Sequence, residues 1–173
     1  CNLNKLDLLF SKEEIKKLEK ICHFANFKKN ETIIFQNALA DKLYFLINGK
    51  ATFTVLNQNR EQEIAVIRSP YVPLGISGLN APGRYASNII IEKNSFILSL
   101  ELKDMNNLFE LDATLGAKFY TLLLSRSTEL LRASRGLDKN IQYSKVKEEK
   151  GIKYLANKEE LTSIKDSAFF SSM

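Results

Sequence analysis

Between Phe24 and Glu101 the chain is a succession of short β-rich runs, which limits its possible folds more than any other feature. The runs are Thr32-Ile33-Ile34-Phe35, Leu43-Tyr44-Phe45-Leu46-Ile47, Ala51-Thr52-Phe53-Thr54-Val55-Leu56, Ile64-Ala65-Val66-Ile67, Ser87-Asn88-Ile89-Ile90-Ile91 and Ser95-Phe96-Ile97-Leu98-Ser99-Leu100. Turn chemistry separates them, at Asn48-Gly49, Asn57-Gln58-Asn59 and Lys93-Asn94. Many short antiparallel strands at spacings of roughly 8 to 12 residues predict a small barrel or jelly roll.

Helical periodicity flanks this region on both sides. Ser11-Lys12-Glu13-Glu14 is a capping-box pattern, and Ile15, Leu18, Ile21 and Cys22 follow at helical spacing, so a helix is expected over 12–22. After Glu101 the pattern predicts a short helix over 103–110 and a long one from Ala113 to Arg135. Asp112 is its expected N-cap, Arg132 and Arg135 lie in its last turn, and Gly136 is its stop. Leu115, Phe119, Leu122, Leu123, Leu130 and Leu131 form its apolar stripe, expected to pack on the barrel or on a second copy of the helix. The fold class is therefore α+β, mainly β: an antiparallel β jelly-roll barrel with an N-terminal helix, a short internal helix after Gly75 and C-terminal helices.

The domain is expected to span 1–136. Over 137–165 lysines and acids nearly balance around sparse apolar positions (Ile141, Val146, Ile152, Leu155, Leu161), as in a charged, helical linker broken near Gly151. Asp166-Ser167-Ala168-Phe169-Phe170-Ser171 echoes Asp7-Leu8-Leu9-Phe10-Ser11, so 166–173 is expected to start a second domain of the same type. The sequence opens at Cys1 rather than Met, and the expectation is a segment of a longer protein in preference to a lipid-anchored terminus.

Composition excludes several functions. The net charge of +5 is spread along the chain without a dense Lys/Arg block, and 137–173 carries no helix-turn-helix pattern, so direct nucleic-acid binding is not expected. No apolar run approaches the ~20 residues of a membrane span, and no signal-peptide pattern opens the chain. With only two cysteines and no disulfide framework, the expected location is the cytoplasm. His23 is the only histidine, so neither a Ser-His-Asp or Cys-His machinery nor a multi-histidine metal site can be assembled. No Gly-Lys-Ser/Thr loop occurs either, and the reading is of a protein that is not an enzyme, with no metal and no cofactor.

The remaining chemistry lies in Leu74-Gly75-Ile76-Ser77-Gly78-Leu79 and the following Pro82-Gly83-Arg84-Tyr85-Ala86-Ser87. Two glycines let backbone approach an anion, a helical turn after Gly75 would aim free N–H groups at it, and Arg84 can supply a counter-charge.

The order of elements and three motifs resemble the cyclic nucleotide-binding domain of catabolite activator proteins, kinase A regulatory subunits and nucleotide-gated channels. Lys29-Asn30-Glu31-Thr32-Ile33-Ile34-Phe35 is similar to the family's Lys-Gly-Glu-x-Ile-Phe strand, and Asp41 to Gly49 to its Asp-x-x-Tyr-x-Ile-x-x-Gly signature. The glycine loop falls where the family keeps its phosphate-binding cassette, and Arg84 on the arginine that pairs with the cyclic phosphate. The resemblance covers residues 5–136 and makes the internal helix a cassette helix and the last two helices B/C-type.

The cassette also departs from the family pattern, Phe-Gly-Glu-Leu-Ala-Leu followed by Pro-Arg-x-Ala-Thr. Gly75 and Leu79 match, Ile76 replaces the glutamate that accepts from the ribose 2′-hydroxyl, and Ser77-Gly78 replace Leu-Ala. Gly83 separates Pro82 from Arg84, Tyr85 fills a position that is usually small, and Asn30 and Ala38 stand where glycine makes tight turns. Losing a hydrogen bond to a charged group, about 1.5 to 3 kcal/mol, weakens ribose recognition roughly tenfold to a hundredfold. Restoring it by Ile76→Glu is then expected to raise affinity.

The resemblance implies a ligand site of Gly75, Ile76, Ser77, Gly78, Leu79, Arg84, Tyr85, Ala86 and Ser87, with Ser134 or Arg135 capping the base. The departures make that site degenerate, and the function read from the sequence is a non-catalytic docking or assembly module within a larger, tandem-domain protein. The alternative is a regulatory domain that binds a cyclic nucleotide or other phosphate ligand and signals through its long C-terminal helix. Expected partners are other domains of the parent chain and a second copy through the 113–135 helix.

Overall fold

The computed structural model describes residues 9–57, 60–68, 70–80, 82–134 and 143–144. Helix α1 (Lys12–Glu19) starts at the expected capping box, with Ser11 Oγ accepting from Glu14 N and Glu14 Oε2 accepting from Ser11 N. It ends earlier than its periodicity suggests, because Cys22 pairs with Leu100 and opens strand β1 (Cys22–Phe27). Then come β2 (Thr32–Ile34), β3 (Lys42–Asn57), β4 (Arg60–Ile67), β5 (Val72–Leu74), a 3₁₀ turn (Ile76–Leu79) and β6 (Asn88–Glu101). Helices α2 (Leu102–Leu111) and α3 (Ala113–Ser134) follow, then a two-residue strand β7 (Tyr143–Ser144).

All pairings are antiparallel, in the order β1-β6-β3-β4-β7, with β2 also on β6 and β5 on β3. The expected barrel is an open roll: the sheet curls over its core without closing. Two expected turns are instead corners within long strands. At Asn48-Gly49 the register of β3 on β6 shifts and β3 runs on, so 43–47 and 51–56 form one strand. Gly49 adopts φ +120°, and a Cβ there would lie 1.8 Å from Ser95 Oγ, so only glycine fits the bend. On the facing strand 87–91 and 95–100 likewise join across Lys93-Asn94, and Ser95 Oγ ties the two corners by accepting from Lys50 N and donating to Lys93 O.

Two apolar clusters fill the molecule. One lies inside the roll, around Ile34, Leu46, Phe53, Ile67, Leu74, Tyr85, Ile89, Ile91 and Ile97, and includes Leu130 of α3. The other joins Phe10, Leu43, Leu100, Met105, Phe109, Leu115, Phe119 and Leu123, and fastens the helices to the roll. The apolar stripe of α3 thus turns Leu115, Phe119, Leu123 and Leu130 inward, while Tyr120 and Leu124 stay exposed. Asp112 is the N-cap foreseen, its Oδ1 accepting from Leu115 N at 3.0 Å. Within the stretch expected to be a connecting helix, Tyr143 and Ser144 are extended and pair with Ile67 and Val66. The rest of that stretch, Gly136 and the expected second domain at 166–173 lie outside the described residues.

Candidate ligand site

Strand β5 delivers the chain to Gly75, which takes φ +87° and starts the 3₁₀ turn, with Gly78 N donating to Gly75 O at 3.0 Å. A side chain at Gly75 would be strained by that φ, and its Cβ would lie 2.8 Å from Ile34 Cδ1 and 3.0 Å from Tyr85 Cε1. At Gly78 a Cβ would sit 2.2 Å from that of Ala40. The glycines therefore serve close approaches, by Ile34 and the Tyr85 ring at Gly75 and by Ala40 and the same ring at Gly78.

The return segment pairs with residues 37–40. Asn37 N donates to Tyr85 O, Tyr85 N to Ala38 O and Ala40 N to Gly83 O, and Leu39 faces Arg84 across an antiparallel bridge. Extended backbone sends alternate side chains to opposite faces, so Tyr85, Ser87, Ile89 and Ile91 point inward and are buried while Arg84 points outward. The guanidinium of Arg84 is exposed and donates to the carbonyl of Asn37. Ser77 Oγ accepts from Ala86 N at 3.0 Å and so ties the turn to the return segment. Ile76 and Leu79 pack against the helix-side cluster.

Tyr85 is 4% exposed. Its hydroxyl donates to Lys42 O at 2.7 Å, accepts from Lys42 N at 3.0 Å and Asp41 N at 3.3 Å, and lies 3.2 Å from Asp41 Oδ1. Burial raises its pKa, and that of neighbouring Tyr44 is pushed up to about 12, mainly by burial, so both phenols are neutral. The cavity bounded by Ile34, Phe53, Pro73, Gly75, Ile76, Ser77, Tyr85 and Ser87 measures about 20 Å³. That is room for roughly one water molecule, far below the ~300 Å³ at which small-molecule sites begin.

The structure thus brings Gly75, Ile76, Ser77, Tyr85 and Ser87 around one cavity, buries Gly78 beside the Tyr85 ring, and leaves Leu79 and Ala86 behind the wall and Arg84 outside. Ser134 is the last residue of α3, and Arg135 lies outside the described residues. Sequence reasoning missed Asp41 and Lys42 as partners of the site; the bulk of Tyr85 was the available signal. Among the described residues no group of His, Cys, Asp and Glu could hold a metal ion, and no helix is long and apolar enough to cross a membrane.

Known structures share this architecture. A cyclic nucleotide-binding domain from Methylobacillus flagellatus KT superposes with a TM-score of 0.66 at 18% identity, over 73% of this chain and 71% of that one. The catabolite activator protein of Thermus thermophilus gives 0.57 at 19%, over 74% of this chain and 60% of that one. The regulatory domain of Toxoplasma gondii PKA, solved with cAMP, gives 0.53 at 13%, over 57% and 38%. No curated protein matches the sequence. Cyclic nucleotide-binding domains as a family are regulatory and non-catalytic. Residues 24–112, just over half of the chain, match the cyclic nucleotide-binding domain family, and the chain belongs to that family.

Proposed function

We propose that this domain keeps the family's fold and uses it for docking or assembly within a larger cytoplasmic protein, its ligand site having become degenerate. The observation that carries this reading is the exchange of places at the return segment: an uncharged phenol lies where a ligand would enter, and Arg84 is spent on a backbone carbonyl outside. No carboxylate replaces the family's glutamate at Ile76, so neither the ribose nor the phosphate of a cyclic nucleotide has a charged partner within the cavity.

Magnitudes support it. Expelling Tyr85 forfeits about 2 kcal/mol of ring burial and about 1 kcal/mol for each of its two or three hydrogen bonds. A cost of roughly 4 to 5 kcal/mol lowers affinity on the order of 10³-fold, enough to take a micromolar ligand to millimolar. The outer face of α3, with Tyr120 and Leu124, is then a surface for a second copy or a neighbouring domain.

Calorimetric titration of the full chain with cyclic AMP and cyclic GMP tests the reading, the expected result being neither heat nor thermal shift at millimolar nucleotide. Saturable binding that Arg84→Ala abolishes would establish the regulatory alternative, for which the left-handed Gly75 and its 3₁₀ turn are the favouring observation.

A further inference from the structure

Tyr85 is held as a bound small molecule would be, its ring and its hydroxyl being gripped by separate parts of the fold. The ring rests on the bare backbone of Gly75 and Gly78, where an added Cβ would come within 3.0 and 3.2 Å of Cε1, and Ile34, Phe53, Pro73 and Ile76 line the adjoining space. The hydroxyl reaches a different segment, 43 and 44 residues earlier, where the Lys42 carbonyl, the Asp41 carboxylate and the two N–H groups of Asp41 and Lys42 converge on it. No cationic side chain lines the cavity. A flat apolar slot ending in two acceptors and two donors is a recognition set for a neutral hydroxyaryl group, and a carboxylate oxygen with no cation beside the slot does not suit a phosphate.

We propose that this pocket is a hydroxyaryl-binding site and that Tyr85 is its resident, intramolecular ligand. The proposal rests on the docking reading above, in which the site is not open to cyclic nucleotide. Tyr85 belongs to the same packed cluster as Leu130 near the end of α3, so removing its ring is expected to loosen that end of the helix. The domain is thereby fixed in a filled arrangement without any diffusible ligand. A tethered group competes at an effective concentration of about millimolar or more, so free hydroxyaryl compounds at micromolar levels do not displace it.

The test uses the full chain and 4-methylphenol, the tyrosine side chain as a free molecule, beside toluene, which lacks the hydroxyl. Tyr85→Ala is expected to lower Tm and to speed hydrogen exchange over 123–134. Millimolar 4-methylphenol should restore both in the variant, toluene should restore neither fully, and the wild type should respond to neither. Equal rescue by toluene would reduce the pocket to an apolar hole, and absence of rescue would remove the site; either result overturns the proposal. Should Tyr85→Ala not fold, Tyr85→Phe keeps the ring and deletes only the hydroxyl. Exchange at the amides of Asp41 and Lys42 should then accelerate about tenfold, as expected for the loss of a hydrogen bond, and unchanged exchange there overturns the proposal equally. Titration of the wild type with cyclic AMP reports on the docking reading alone, so failure of one is distinguishable from failure of the other.

Discussion

Lys118 of α3 donates to both carboxylate oxygens of Glu14 in α1, at 2.8 and 2.9 Å, across 104 positions of sequence. The same carboxylate closes the capping box of α1, and one turn on, Lys17 pairs with Asp112, the N-cap of α3, at 2.6 Å. Two carboxylates therefore cap their own helices while fastening α1 to α3.

This arrangement predicts acid sensitivity. The Lys118 hydrogen bond, then that from Ser11 N, holds Glu14 below its ordinary 4.5; Lys17, then Leu115 N, holds Asp112 below 3.8. Groups with depressed folded pKa stabilise fully above their unfolded values and lose that contribution as pH falls through the folded ones. Lys17, raised above 10.5 chiefly by Asp112, stabilises below that value and stops doing so as pH rises through its folded pKa. Urea unfolding should show stability dropping below about pH 4.5, with a shallower drop in Glu14→Gln and in 0.5 M salt. A Glu14→Gln profile parallel to the wild type would mean that the contact contributes nothing.

Backbone handedness predicts a graded series. Gly83 has φ +70° with nothing within 4 Å of where a Cβ would stand, so Gly83→Ala meets only the left-handed penalty, about 1 kcal/mol. Gly75→Ala adds collisions with Ile34 and Tyr85 and should cost about 2 to 4 kcal/mol. Asn30, exposed at φ +70°, already occupies a glycine conformation, so Asn30→Gly should be nearly neutral and Asn30→Ala should cost about 1 kcal/mol. Chemical denaturation of the four variants checks the order; equal losses at Gly75 and Gly83 would remove the steric argument.

Thr52 is 1% exposed, and its Oγ1 has no hydrogen-bond partner among the described residues. Thr52→Val replaces that hydroxyl with a methyl of the same shape and keeps the β-branch of a central strand. The variant should gain about 1 kcal/mol, read as a higher urea midpoint at unchanged slope. A loss of stability would imply a partner for the hydroxyl.

Much of this fold is legible in the sequence because its signals are local. The capping box at Ser11 and Glu14 and the N-cap at Asp112 depend on residues three apart, and both form. The corners at Gly49 and Lys93 look like turns because Asn-Gly promises one; only the facing Ser95, nearly fifty residues away, shows the strand running through. Asn30 and Asn37 both take the left-handed conformation, φ +70° and +65°, and Asn30, a departure from the family's glycine, does glycine's work there. The site is legible in composition but not in direction. Which of Arg84 and Tyr85 faces the cavity depends on pairing with 37–40, a parity that no motif carries.

That parity changes what Ile76→Glu should do. From the motif alone, restoring the carboxylate raises cyclic-nucleotide affinity. In the structure Ile76 packs against the helix-side cluster and borders a cavity of about 20 Å³. A carboxylate there meets no cation, because the Arg84 guanidinium lies outside on Asn37 O, and a ribose cannot reach it while Tyr85 fills the slot. Partial burial of an unpaired charge should then cost about 1 to 3 kcal/mol of stability, and millimolar cyclic AMP should give no thermal shift. Ile76→Glu combined with Tyr85→Ala separates the two obstacles, since it opens the slot while leaving Arg84 outside. Binding by the double variant but not the single one would show that Tyr85 is the barrier and that Arg84 turns inward once the phenol is gone. Binding by Ile76→Glu alone would mean that Tyr85 and Arg84 exchange faces at little cost, and the docking reading would fall with it.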